Sequence, residues 1–385
     1  MDSHIYDDTL RLARQLIACR SITPDDGGAL DVVASRLSAV GFACERIDRG
    51  GVGNLWARWG ATAPVVCLAG HVDVVPPGPL EQWTSDPFTP TERDGYLYGR
   101  GASDMKGPLA AMLTAVERVA AANAPHRGSV AVLLTSDEEG DAADGTVAVV
   151  EALKARGQTI DACVLGEPTS EERLGDVMKN GRRGSLNGRL TVKGVQCHIA
   201  YPERGRNPIH AALPALAELV ATAWDRGNEY FQPTSFQISN VHAGAGATNI
   251  TPGTLDVIFN VRFSPASEEE DLKARVHRIL DRHGLEYDLV WIRSGAPFMT
   301  SRGPLVDALS AAIVGVTGLA PELSTGGGTS DGRFLGAIAR EIVEFGPSND
   351  TIHKIDERVK LADLAPLSAI YERTILALLG LRATP

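Results

Sequence analysis

The run PVVCLAGHVDVV, Pro64–Val75, constrains this chain more than any other stretch. Apolar and β-branched residues, bounded by Pro64 and by Pro76-Pro77-Gly78, read as a buried strand over 65–75. Residues two apart in an extended chain point to the same side, so the strand's end presents His71 and Asp73 together. Two later runs end the same way. SVAVLLT (129–135) closes on Ser136-Asp137-Glu138-Glu139-Gly140, and Ala162–Leu165 closes on Gly166-Glu167-Pro168-Thr169. Side chains of consecutive extended residues diverge, so Glu138 and Glu139 are expected to do different jobs. Strand ends of this kind are where open α/β sheets collect ligands. An imidazole whose second nitrogen is held by a carboxylate is the usual arrangement of a metal ligand.

A length of 385 residues suggests two domains. The net charge of −11 excludes a general nucleic-acid surface, which needs basic stripes. It also leaves recognition of an anionic substrate to local arginines. The opening MDSHIYDDTL is acidic and without an apolar core, so it does not read as a signal peptide. No apolar run approaches a membrane span. Cys19, Cys44, Cys67, Cys163 and Cys197 are odd in number and form no CxxC, which predicts reduced thiols in the cytoplasm.

Helices are expected over 6–20 and 29–40, with strands near 43–47 and 54–59. The glycine-rich GYLYGRGASDMKG (95–107) leads into a helix whose buried face is Leu109, Met112, Leu113, Val116 and Val119. Its spacing fits neither GxxxxGK[ST] nor GxGxxG, so it is not a phosphate loop. It leaves Asp104 at a strand-to-helix turn. From residue 181 the rhythm changes. Strand 185–193, helix 208–224 behind the cap Asn207, strands 234–240 and 254–263, a helix entered through a Ser267/Glu270 capping box, and strand 286–292 follow in order. That β-α-β-β-α-β sequence is ferredoxin-like. It predicts a catalytic domain in two parts, 1–180 and 294–385, with a domain inserted at 181–293. The second part offers helix 304–317, the glycine-rich LSTGGGTSDGRF (323–334), strand 341–345, then Asn349 and His353, and a last helix over 362–379.

Strand ends and loops thus supply His71, Asp73, Asp104, Glu138, Glu139, Glu167 and His353. Two imidazoles among carboxylates suit Zn²⁺, Co²⁺ or Mn²⁺ better than Ca²⁺. Five ligands shared over two ions leave one carboxylate in common, the two-metal hydrolase arrangement. Spacing alone does not pick which one bridges.

Nine motifs in this order resemble the co-catalytic zinc aminoacylase and exopeptidase family from end to end: GHVDVVPPG (70–78), YGRGASDMKG (98–107), TSDEEG (135–140), GEPT (166–169), GRRGS (181–185), GVQCHIAYP (194–202), GATNITPG (246–253), GGGTSDGRF (326–334) and GPSNDTIHK (346–354). The resemblance implies a mixed-sheet α/β di-zinc exopeptidase-like domain carrying an inserted ferredoxin-like α+β dimerisation domain. It implies two Zn²⁺ per subunit, replaceable by Co²⁺ or Mn²⁺. His71, Asp104 and Glu167 would hold one. Asp104, Glu139 and His353 would hold the other, with Asp104 bridging. Asp73 would orient His71, Glu138 would act as the base, and the Asp104–Met105 peptide would be cis. His198 would donate to the oxyanion from the partner subunit of a homodimer, and Asn249 is assigned to the same trans position. The family has glycine where this chain has Cys197. The implied reaction is hydrolysis of N-succinyl-LL-2,6-diaminopimelate, a small dicarboxylate-type substrate of lysine and cell-wall precursor synthesis. Arginine forks match carboxylates, and Arg182, Arg262 and Arg333 fall in matching motifs with Ser185, Tyr201, Thr329 and Asn349; Arg183 stands beside Arg182 as an alternative. Deacylation of acetylornithine or a carboxypeptidase activity is the neighbouring reading. A non-catalytic metal-binding protein is the more distant one, and it has no use for Glu138.

Overall fold

The computed structural model describes residues 3–122, 128–244 and 246–381. The chain divides into two compact units, Met1–Gly181 with Met299–Ser324 and Ser330–Pro385, and Arg182–Phe298 with Thr325–Thr329.

Among the described residues of the first unit, eight strands form a mixed sheet. From edge to edge they are Ala43–Arg46, Asn54–Trp59, Ser129–Thr135, Val65–His71, Ile160–Leu165, Ala339–Glu344, Val177–Lys179 and Glu322–Ser324. The Val65–His71 strand runs parallel to both neighbours, with Cys67 level with Ala131 on one side and Cys163 on the other. Val66, Leu68, Val132 and Val164 point into a core shared with helices Ser3–Ala18, Gly107–Ala121, Pro304–Thr317 and Leu361–Leu378. Cys67, Ala131, Leu133 and Cys163 alternate with them and are equally buried. Burial on both faces is why these strands read as unbroken apolar runs. Each such Leu or Val stabilises the fold by about 1.5–3 kcal/mol relative to exposure. All five cysteines are free.

The central strand stops at His71, four residues earlier than the apolar run suggests. Beyond it the chain leaves the sheet, because Val74 takes its hydrogen bonds elsewhere: its N–H donates to the Ser21 carbonyl at 2.8 Å and its carbonyl accepts from Thr23 N–H at 3.0 Å.

In the second unit, Gly184–Lys193, Ser235–Ala243, Thr254–Phe263 and Tyr287–Gly295 form an antiparallel sheet. Its edge-to-edge order is second, third, first, fourth strand. Helices Pro208–Ala221 and Glu269–Arg282 pack on it through Ala212, Leu219, Leu272, Val276 and Leu280 around Phe236 and Phe259. Asn207 caps the first helix by accepting the N–H of Ile209 at 3.0 Å. The second helix differs from the sequence reading. Its cap position is Glu268, with no side-chain cap bond. The Ser267 hydroxyl donates instead to Asp225, at 2.7 Å, and that carboxylate also accepts from Thr234 and Gly227. A charged acceptor on a neighbouring turn outcompetes the local box.

Candidate metal centre

The side chains that matter in the first unit issue from the carboxyl ends of its parallel strands. His71 pairs with Thr135 at the end of the sheet, and Ala69 pairs with Leu165. Glu138, Glu139 and Glu167 therefore leave their loops near the level of the imidazole. His71 is fully buried. Its Nδ1–H donates to the Asp73 carbonyl at 2.9 Å, while the Asp73 carboxylate is 3.6 Å away. That carboxylate accepts the backbone N–H of Glu139 at 3.1 Å and of Glu138 at 3.4 Å. Asp73 thus fixes the His71 tautomer through its backbone and the acidic turn through its side chain. The Nε2 of His71 is left to face Asp104 Oδ1 at 3.1 Å and Glu167 Oε1 at 3.9 Å.

Asp104 sits at a kink in the segment Ala102–Lys106, where it (φ −121°, ψ 91°) and Met105 (φ −134°, ψ 35°) depart from helical backbone; the segment is entered through Gly101 at φ +83° and followed by helix Gly107–Ala121. The Asp104–Met105 peptide is cis. Met105 is buried under the strand ends, where a Cβ on Gly70 would meet its Cε at 2.3 Å and one on Gly166 at 2.6 Å. The second oxygen of Asp104 lies 3.5 Å from His353 Nε2, which is itself 2.9 Å from Glu139 Oε1. His353 adopts φ +59° in the loop between Asn349 and Arg358. Ligand atoms of His71, Asp104 and Glu167 converge within 4.8 Å, as do those of Asp104, Glu139 and His353 and those of His71, Glu138 and Glu139.

Burial alone would raise the pKa of Asp104, but its hydrogen bonds to His353 and His71 hold it below the ordinary carboxylate range. The same bond to Asp104, with that to Glu139, pushes His353 up to about 10. His71 is pushed well up despite the opposing effect of burial, by Asp104, Glu167 and Asp73. Glu138 moves well above its usual value because it loses water and faces Glu167. Carboxylates crowded this way in a low dielectric repel one another and are costly without a cation. Imidazoles whose Nε2 atoms face carboxylate oxygens are the donor chemistry of a transition-metal site. The residues fit a pair of divalent cations.

Sequence reasoning passed over Glu357. It is 1% exposed, and its carboxylate accepts the N–H of Ser103 and Asp104 through Oε1 and of Gly101 through Oε2, each at 3.0 Å. Arg100, 2% exposed, completes the set at 2.7 Å. A lone Glu in IDERV carries no local signal for this, since its partners lie about 250 residues away.

Arg333 and Asn349 also belong to the first unit. Arg333 lies over the Phe334 ring at 4.6 Å, with Nη2 3.9 Å from Asp331. In the second unit, Arg182 donates to the Gly326 carbonyl at 2.9 Å, and Thr329 is half-buried. Ser185 is level with Arg262 in the sheet, and Asn260 bonds to both, at 2.9 and 3.0 Å. His198 is exposed in a two-stranded pairing with Ile250, one residue from Asn249, and its ring lies 5.6 Å from that of Tyr201. The His198 Nδ1 accepts the N–H of Ala200 at 3.1 Å.

Residues 67–377 match the model of peptidase family M20/M25/M40. The chain belongs to this family. It is 61% identical over 369 residues to a succinyl-diaminopimelate desuccinylase of Dechloromonas aromatica (strain RCB), covering 96% of this chain and 98% of that relative. It is 63% identical over 366 residues to the same-named protein of Bordetella avium (strain 197N), covering 95% and 97%. Among solved structures, aminopeptidase PepT from Bacillus cereus ATCC 10987 superposes with a TM-score of 0.79 at 20% identity, covering 97% of this chain and 98% of that one. The YXEP protein of Bacillus subtilis, described as a dinuclear metal-binding peptidase of this family, gives 0.75 at 15% identity, covering 99% and 100%. Membership fixes the fold as the α/β exopeptidase type. Among the described residues no helix is long and apolar enough to cross a membrane.

Proposed function

We propose that the chain is an amidohydrolase that cleaves N-succinyl-LL-2,6-diaminopimelate to succinate and LL-2,6-diaminopimelate, in the cytoplasm, with two Zn²⁺ per subunit. The substrate is supported by relatives of that name at 61% and 63% identity over nearly the whole chain. The observation that carries the chemistry is Asp104, whose two oxygens face His71 and His353 while Glu138 stands beside them with a raised pKa.

His71, Asp104 and Glu167 would hold one cation, and Asp104, Glu139 and His353 the other, with Asp104 common to both. Two such cations, when bound, would supply Lewis acidity to the scissile carbonyl and bring the pKa of water towards neutrality. Glu138 takes the proton of the attacking water and returns it to the leaving amine, a role that a raised carboxylate pKa suits. Asp73 holds His71 and the Glu138-Glu139 turn in register. His198 serves as an oxyanion donor from the partner subunit of a homodimer formed through the inserted unit, with Asn249 beside it. The Ala200 N–H occupies its Nδ1, which leaves the proton on Nε2, the donor that role needs. Arg182, Arg262 and Arg333, with Ser185, Tyr201, Thr329 and Asn349, take the substrate's carboxylates.

The test is substrate profiling of the Zn²⁺-loaded protein, with Glu138→Gln as control. Succinate release from the succinyl substrate should exceed acetate release from acetylornithine, and Glu138→Gln should keep its cations and lose turnover. Faster cleavage of acetylornithine overturns the substrate; unchanged turnover in Glu138→Gln overturns the mechanism. Mixing inactive His198→Ala with inactive Glu138→Gln subunits should restore part of the activity, and heterodimers without recovery exclude the shared site.

A further inference from the structure

Glu357 is buried, charged and close to the metal centre, yet it is not one of the residues proposed to hold the cations or move a proton. It reaches its place because strand Arg358–Lys360 pairs antiparallel with Tyr96–Tyr98, opposite the entry to the Gly99–Asp104 turn. Its backbone joins that turn through Gly99 N–H to Glu357 O at 3.0 Å. Its carboxylate then gathers three backbone N–H groups of the turn and the guanidinium of Arg100. Arg100 also donates to the carbonyl of Lys354 at 3.2 Å, the residue after His353. The Ser103 hydroxyl donates to the Ser348 carbonyl at 2.6 Å, one residue before Asn349. One buried ion pair therefore fastens the loop that carries Asp104 to the loop that carries His353.

A carboxylate accepting several N–H bonds in a water-poor site is held rigidly, and each bond made by a charged group contributes more than a neutral one. We infer that Glu357 is a positioning residue for the cation set of Asp104, Glu139 and His353: it aims two of those three ligands at once and touches no cation itself. His71 and Glu167 are anchored on the sheet, so the other set depends on Glu357 only through the shared Asp104. This rests on the two-cation reading above. That reading is checked by the stoichiometry of the wild-type chain, whereas the role of Glu357 is checked by the difference between variant and wild type.

The experiment is calorimetric titration of Zn²⁺ into the metal-free full chain under a competing chelator, for wild type, Glu357→Gln and Glu357→Asp, with thermal unfolding followed by circular dichroism. Gln keeps the size of Glu but sets an amide NH₂ against the Gly101 N–H and Arg100. Expected is a folded protein whose first cation binds within about threefold of wild type and whose second binds about 10- to 100-fold more weakly, the usual cost of losing an outer-shell partner. Asp, which keeps the charge, should recover part of that loss. Two unchanged affinities in a folded variant overturn the inference. So does an equal loss at both sites, which a merely structural role would give. If neither variant folds, the paired Arg100→Gln/Glu357→Gln chain, which leaves no buried charge alone, carries the same comparison. Failure of all three to fold assigns the effect to the fold and also overturns the inference.

Discussion

The Asp73 carboxylate accepts the backbone N–H of Glu139 at 3.1 Å. A residue after the central strand thereby sets the position of a carboxylate that the chain supplies 66 residues later. Asp73→Asn can offer only one carboxamide oxygen to the two N–H groups now shared by two oxygens. It should lower kcat by about 10- to 100-fold with little change in KM, the range seen when outer-shell support is lost. Steady-state kinetics with cation content measured on the same sample decides it; a KM effect alone would place Asp73 in substrate binding.

His353→Ala should leave a folded chain that retains one tightly bound cation, against the two expected of wild type. His71→Ala should cost more, since His71 is fully buried and its loss opens a cavity as well. Metal analysis after gel filtration is the measurement, and two cations retained in His353→Ala would remove His353 from the ligand set.

Gly346 packs against the backbone that carries Glu167: a Cβ there would meet Glu167 O at 2.4 Å and Gly166 O at 2.8 Å. Backbone cannot swing aside as a side-chain end can. Gly346→Ala is expected to cost about 1–3 kcal/mol in urea denaturation, the range for overpacking. Gly328 has nothing within 4 Å of its would-be Cβ and no positive φ. Gly328→Ala should be neutral or stabilise by about 0.4–1 kcal/mol through the unfolded chain. Equal effects at the two sites would contradict the packing argument.

Acid stability of the second unit should depend on Asp225. Burial opposes its ionisation, but hydrogen bonds from Thr234, Ser267 and Gly227 prevail and lower its pKa from 3.8 to about 2. A depressed folded pKa means stability that is complete above 3.8 and is lost as the pH falls towards about 2. Asp225→Asn should flatten that limb, seen as a smaller fall in melting temperature of the variant over this range.

Much of the centre is legible from the chain because strand ends announce themselves. Residues 130–134 are apolar without interruption since both faces of that strand are covered, and the first polar side chains after such a run stand at the sheet's rim. What stays hidden is set by partners remote in the chain. Glu357 looks like any surface glutamate until Arg358–Lys360 docks on Tyr96–Tyr98, two strands too short to carry a periodic signal. Ser267 fits a capping box in sequence, yet Asp225, 42 residues away, claims its hydroxyl. His71 and Asp73 are read as sharing a strand face, whereas the chain turns off the sheet between them and the imidazole meets a carbonyl first.

The level pairing of Cys67 with Ala131 and Cys163 reaches beyond packing. A strand threaded one step out of phase would turn His71 to the opposite side of the sheet while leaving its own apolar run just as well covered. Helix content would barely register such an error. Cation uptake would, so a refolded preparation with native circular dichroism that takes up no Zn²⁺ when it is supplied is the expected mark of a mis-threaded sheet.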